Sequence, residues 1–124
     1  MTKRVRAGLV GAVFVAVLGL GACAPGVQAG SPSVSQDAIT RFFGPVADQA
    51  MRVADCESSL DPSAVSAGGG NYGLFQINSV HADEFQAVTG QPWSNVLDPY
   101  ANAAYAKYLY DSQGWGPWAC RWAA

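Results

Sequence analysis

VADCESSLDPSAVSAGGGNYGLFQIN, residues 53–78, decides how the rest of this chain reads. Its opening residues finish a helical pattern. Val46, Ala50, Val53, Ala54 and Cys56-Glu57 recur at spacings of three and four, which makes one face apolar. Leu60-Asp61-Pro62 ends that helix, because the residue before a proline avoids helical geometry. Glu57 therefore falls in the last turn, where the scaffold gives way to a loop. Residues 63–71, SAVSAGGGN, form the loop, and Gly68, Gly69 and Gly70 permit positive φ and close backbone approach. The run that follows, YGLFQIN over 72–78, is apolar with two amides and too short to classify by period.

Working outward, residues 37–60 read mainly as helix. Ser35 or Asp37 can cap a short first segment, Gly44-Pro45 breaks it, and Pro45 suits the first position of a new helix. Beyond the central stretch, residues 79–89 suggest a short helix capped by Ser79 and stopped by Gly90. Gln91-Pro92-Trp93 is a turn. Asp98-Pro99 starts a final helix whose inner stripe is Ala101, Ala104, Tyr105, Tyr108 and Leu109, and Gly114 ends it. Trp115-Gly116-Pro117-Trp118-Ala119-Cys120 returns the chain toward Cys56. The pattern predicts one mainly helical domain with at best a small hairpin.

The N-terminus reads as an export signal. Lys3, Arg4 and Arg6 precede the apolar run of residues 8–20, GLVGAVFVAVLGL. A helix of that length spans about 20 Å, too short for a bilayer. Leu20-Gly21-Ala22-Cys23 resembles a bacterial lipobox, which makes Cys23 the lipidated first residue of the mature chain. Val27-Gln28-Ala29 offers a competing site for ordinary signal peptidase. The expected organisation is a signal peptide over 1–23, a small-residue tether over 24–36 and a folded domain over 37–124. Membrane contact is then expected only through the lipid on Cys23.

Charge and cysteine content narrow the partners. Past the signal, four basic residues face nine acids, a net charge of −5. Phosphate backbones and anionic lipid surfaces are poor partners for such a domain. Either cleavage removes Cys23 from the folding problem and leaves Cys56 and Cys120. Outside the cytoplasm that pair is expected to bridge, with two free buried thiols as the alternative. A bridge closing so long a loop contributes roughly 4 kcal/mol by chain entropy. His81 is the only histidine, so neither a zinc site nor a Ser/His/Asp arrangement is credible. GGGN lacks the lysine and helix of a phosphate loop. No cofactor or metal and a monomeric state are expected.

Glycoside cleavage needs a proton delivered to the leaving oxygen by a carboxylic acid in an apolar setting. Glu57 suits this by position. It follows an apolar face, adjoins Cys56, and ends a helix, where the dipole disfavours negative charge. If Cys56 and Cys120 pair, they also carry Trp115 and Trp118 toward it, as indoles that could desolvate the carboxyl and stack on sugars. The plain alternative is a solvated helix-end glutamate.

The same stretch resembles the core of the soluble lytic transglycosylase domain, a branch of the lysozyme-like superfamily. Glu57-Ser58 opens the motif, and Asp61-Pro62 with Ala64 and Ser66 continues it. Gly73-Leu74-Phe75-Gln76-Ile77 matches the family's signature, and Asp98-Pro99, Asn102 and Tyr108-Leu109 match its later helix. NYGLFQIN is also similar to animal-type lysozymes. CES with GWGPWAC is similar to the actinobacterial resuscitation-promoting factors, where the equivalent cysteines are bridged. The likeness covers about residues 45–120. It implies a mainly α, lysozyme-like α+β fold, with the Gly-rich loop or a short hairpin lining a glycan-binding groove.

By that resemblance Glu57 is the catalytic acid/base, Ser66 positions the substrate near the reacting sugar, Gln76 lines the same groove, and Phe75, the hydrophobic residue before it, is counted with them as substrate-binding. Asn71 and Tyr72 are expected to face the cleft. Two departures matter. The family's closing Ala-Tyr-Asn-Ala-Gly is absent, with Trp115 and Trp118 at that end, while Tyr105 and Tyr108 read as core. Asn71 also stands where animal-type lysozymes keep a second carboxylate. A one-carboxylate site implies intramolecular chemistry that leaves 1,6-anhydromuramic ends on peptidoglycan. A hydrolytic muramidase and a non-catalytic wall-binding module are the rival readings.

Overall fold

The structure, a computed structural model, describes residues 33–124. The expected signal peptide, the lipobox with Cys23 and residues 24–32 of the tether lie outside the described residues. Four helices and one hairpin follow in order: α1 (Ser33–Phe43), α2 (Ala47–Ser58), β1 (Asn71–Tyr72), β2 (Ile77–Asn78), α3 (Ala82–Thr89) and α4 (Pro99–Gln113). Short 3-10 turns at Gly44–Val46, Ser79–His81, Trp93–Asn95 and Arg121–Ala123 join or follow them.

α1 begins four residues ahead of the expected domain start. Ser35 does not cap it; the side chain is buried within the helix and its hydroxyl donates to the Leu60 carbonyl at 2.9 Å. Residues 33–36 thus belong to the folded domain, through a tertiary contact that a small, polar composition conceals. Gly44-Pro45 does break the helix, as a 3-10 turn with Pro45 near its start. α2 then buries Ala47, Ala50, Val53 and Ala54, the face that the periodicity marks.

α2 stops at Ser58, before the Asp-Pro step. Ser59 and Leu60 turn left-handed with φ of 56° and 59°, and the Ser59 N–H closes the helix on Asp55 O at 2.7 Å. Ser58 Oγ donates to Ala54 O and also to Leu74 O at 2.8 Å, which ties the helix end to the hairpin turn. In that hairpin Asn71 pairs with Asn78 and Tyr72 with Ile77, antiparallel. Val65 bridges to Tyr72, so the preceding loop adds a short third edge.

Local capping chemistry sets the remaining helices. Asn78, not Ser79, accepts from the Val80 N–H at 3.0 Å, because the hairpin ends on an amide in extended geometry. Gly90 stops α3 in left-handed conformation, with φ 70°. Asp98 Oδ1 accepts from the Ala101 N–H at 2.8 Å, and Pro99 follows it at the head of α4, as the sequence predicts. Tyr108 departs from the expected inner stripe of α4: it is 40% exposed, and its hydroxyl reaches Glu84 across the surface. Asn102 takes an inward place instead.

Asn102 links α4 to the hairpin. Its Oδ1 accepts from the Phe75 N–H at 2.9 Å, while its Nδ2 donates to Tyr72 O and Val96 O. A buried amide is tolerable only with its hydrogen bonds made, and here they are. Gly73, with φ 75°, passes so close to Asn102 that a Cβ there would strike the amide and meet Val96 O at 3.0 Å. The core closes around this link with Ile39, Phe43, Val53, Leu74, Phe75, Phe85, Tyr105 and Leu109. Cys56 and Cys120 are bonded, with Cα atoms 6.0 Å apart, so the end of the chain is covalently joined to α2.

Candidate active site

The C-terminal turn of α2 places Glu57 at the mouth of a cavity of about 390 Å³. Ser66 comes from the Gly-rich loop, Asn71 and Gln76 from the hairpin, and Pro117, Trp118 and Ala119 from the segment that returns to Cys56. Three further stretches of sequence therefore line the same cavity as this one carboxyl.

Glu57 is half-buried. Its Oε1 accepts from the backbone N–H of Cys120 at 2.9 Å. Among the described residues it makes no ion pair, and its Oε2 has no protein partner. One carboxylate oxygen is thus fixed, and the other is left for a ligand. Asp55, two residues earlier and so on the opposite side of α2, is exposed. Asp61 is occupied by its own turn, accepting from the backbone and hydroxyl of Ser63; these bonds, the hydroxyl foremost, hold its carboxyl below the usual aspartate value. Asp61 does not line the cavity, so Glu57 is its one carboxylate among the described residues.

The polar walls are held by the backbone. Ser66 Oγ donates to Gly69 O at 2.9 Å and accepts from the Asn71 N–H, which pins the Gly-rich loop to the hairpin. Asn71 Oδ1 accepts from Asn78 Nδ2 across the strand pair. Gln76 sits at φ 50°, a left-handed position unusual for glutamine. Its Nε2 donates to Ala64 O and Gly73 O, so the amide is orientated with Oε1 as its unpartnered end among the described residues. Such strain kept in a cavity wall fits a functional position.

Three expected contacts lie elsewhere. Phe75 is fully buried, stacked on Phe43 with ring centroids 5.2 Å apart and edge-on to Trp118. It is core, because the hairpin turns Phe75 toward the helices and Gln76 toward the cavity. Trp115 also leaves the groove; it stacks on Phe43, packs at a tilt against Tyr110 and donates its indole N–H to Gln49 Oε1 at 3.0 Å. Tyr72 packs edge-on against Trp93 and is not among the cavity-lining residues. Trp118 does line the cavity, but only 4% of it is exposed and its N–H is spent on Phe75 O. It forms an apolar wall, not an open stacking platform. Sequence reasoning missed Pro117, Ala119 and the Cys120 amide. The WGPWAC string signalled the segment, but a backbone donor has no signature of its own.

A small, mainly helical domain with a hairpin wall and a lone glutamate at a helix end has the architecture of the lysozyme-like glycan-cleaving enzymes. The transglycosylase SLT domain model matches residues 42–116. The chain belongs to that family, whose lysozyme-like function is cleavage of peptidoglycan glycan and therefore lies outside the cytoplasm. No curated protein and no solved structure matches the chain. The family match ends at Gly116, so the segment that completes the groove, Pro117 to Cys120, lies beyond it.

Proposed function

We propose that this protein is a lytic transglycosylase cleaving the MurNAc–GlcNAc β-1,4 bond, with Glu57 as the single acid/base. The observation that carries this reading is the isolation of the Glu57 carboxyl. The other cavity-lining polar side chains are a hydroxyl and two amides, Ser66, Asn71 and Gln76. A double-displacement glycosidase needs a second carboxylate about 5 Å away, and an inverting one needs it somewhat further off. Glu57 instead donates its proton to the glycosidic oxygen as the C1–O bond breaks. The resulting carboxylate takes the proton from the muramic acid 6-hydroxyl while that oxygen bonds to C1. The product is a 1,6-anhydro end, no water is consumed, and the acid is regenerated. The internal nucleophile gains from proximity, and one group serves first as acid and then as base. In this scheme Ser66, Asn71 and Gln76 hold the sugar, and Trp118 excludes water from one side.

Mass spectrometry of muropeptides released from purified peptidoglycan tests the chemistry. Anhydromuramyl ends are expected; reducing ends would establish the hydrolytic muramidase in its place. The N-terminal reading completes the proposal. Cys23 carries lipid, residues 24–32 act as the tether, and the monomeric domain works on the outer face of the membrane. Cys23→Ser is expected to move the protein from the membrane fraction to the soluble one, and a wild type already in the soluble fraction would favour the cleavage after Ala29.

A further inference from the structure

The hydrogen bond between the Cys120 amide and the Glu57 carboxyl has a covalent frame. Cys56 precedes Glu57 in α2, and its bridge partner Cys120 supplies the N–H that Glu57 accepts at 2.9 Å. Bridge and hydrogen bond therefore join the same two short stretches of chain, residues 56–57 and residue 120. The three residues before Cys120 are Pro117, Trp118 and Ala119, which wall the cavity. Few other bonds hold this segment. Trp118 is anchored through its indole to Phe75 O, and beyond the bridge Arg52 Nε donates to Ala123 O at 2.9 Å on the exposed surface.

We infer that the Cys56–Cys120 bridge is a positioning device for the reaction, in which the tethered Cys120 amide aims the Glu57 carboxyl into the groove. The inference rests on the reading of Glu57 as the acid/base. A glutamate side chain has three rotatable bonds, and at a helix end few neighbours restrict them. One fixed oxygen selects the rotamer that presents the other oxygen to the groove. Misplacement of a catalytic group by about 1 Å can cost a hundredfold in rate. Sugar binding, by contrast, depends on Ser66, Asn71 and Gln76, whose supports come from the Gly-rich loop and the hairpin. A positioning role therefore predicts loss in kcat with KM retained.

The experiment compares wild type, Cys56→Ser/Cys120→Ser and Glu57→Gln, assayed well below their melting temperatures. In wild type the amide proton resonance of Cys120 should titrate with the Glu57 carboxyl in 15N-edited NMR spectra, and Glu57→Gln should abolish that titration. The bridgeless variant, folded by circular dichroism, should lose the titration at residue 120. Its kcat should drop about tenfold to a hundredfold, with KM within about twofold. A bridgeless protein with near-wild-type kcat, or with the titration intact, would overturn the inference, since Trp118 and Arg52 would then suffice to hold the segment. If that variant does not fold, the oxidised protein still decides: a Cys120 amide that ignores Glu57 ionisation removes the contact on which the inference stands. Turnover retained in Glu57→Gln sinks the acid/base reading itself, whatever the amide does.

Discussion

Two cavities of the molecule are instructive side by side. The Glu57 groove holds about 390 Å³, whereas a second hollow between α1, α3 and the start of α4, lined in part by Phe42, Thr89, Gln91, Asn95, Asp98 and Tyr100, holds about 610 Å³. The larger one also contains an acid, two amides and two aromatic rings. What separates them is the use to which the polar groups are put. Asp98 caps α4 through Oδ1, Thr89 bonds Phe85 O and the Gln91 N–H, and Asn95 bonds Gln91. Those bonds end helices and turns, Tyr100 ties α4 to Asp37 of α1, and the hollow is left over between them. In the groove, by contrast, the acid caps no helix; its one bond among the described residues is to the Cys120 N–H, 63 residues away in sequence. Size does not mark the site; an acid released from capping duty does.

The sharpest way to break this contrast is to remove one acid from each cavity. Glu57→Gln is expected to lower turnover by about a hundredfold to ten-thousandfold, the range for losing a general acid, with an unchanged melting temperature. Asp98→Ala should leave turnover intact and lower stability by about 1 kcal/mol, the worth of an N-cap. Peptidoglycan digestion and thermal melts on both variants check this. A non-catalytic wall-binding module predicts no change for Glu57→Gln, and turnover lost in Asp98→Ala would make the larger hollow functional.

A smaller effect probes how the groove is held in place. Gly73 lies under neither cavity, yet Asn102 and Val96 leave no room for a Cβ and the residue has positive φ. Gly73→Ala should cost about 3 kcal/mol, combining backbone strain with overpacking. Chemical denaturation measures it, and a cost below about 1 kcal/mol would show that Asn102 can yield and does not fix the hairpin.

The same contrast explains what the sequence made legible. Helix starts and stops at Asp98-Pro99, Gly90 and Gly114 were readable because a cap or a left-handed glycine acts within a few residues. The position of Glu57 in a last turn followed from spacing. Phe75 was misplaced because an aromatic beside a cavity-lining residue faces in or out according to a turn, here the left-handed Gln76, that no periodicity encodes, and Trp115 because its partners Phe43 and Gln49 are distant in sequence. Asn102 matched a family motif, but its role depends on partners up to 30 residues away in sequence. The helical start at Ser33 was hidden for the same reason, since Ser35 bonds a carbonyl from the far end of α2.

The mildest test lies outside both cavities, at the surface where α3 meets α4. Glu84 accepts from the hydroxyls of Tyr105 and Tyr108, and His81 Nδ1 lies 3.5 Å away. The Tyr105 bond foremost, then that of Tyr108, holds the Glu84 carboxyl below its ordinary 4.5. A lowered carboxyl favours the folded state above its ordinary value, and that advantage fades as pH falls through the folded value. The phenols run the other way. Burial first and Glu84 second push Tyr105 up, and the bond to Glu84 raises Tyr108, so their contribution holds below pH 10 and fades above it. Glu84→Gln should therefore lower the melting temperature near neutral pH, with the difference from wild type narrowing toward pH 3 and again above pH 10. Glu84 is 46% exposed, so the effect is small. Turnover at neutral pH should match wild type, because these groups, like those of the larger hollow, are spent on structure. An equal gap in melting temperature at pH 3 and pH 7 would show that the carboxylate charge contributes nothing there, and a change in turnover would extend the functional region beyond the Glu57 groove.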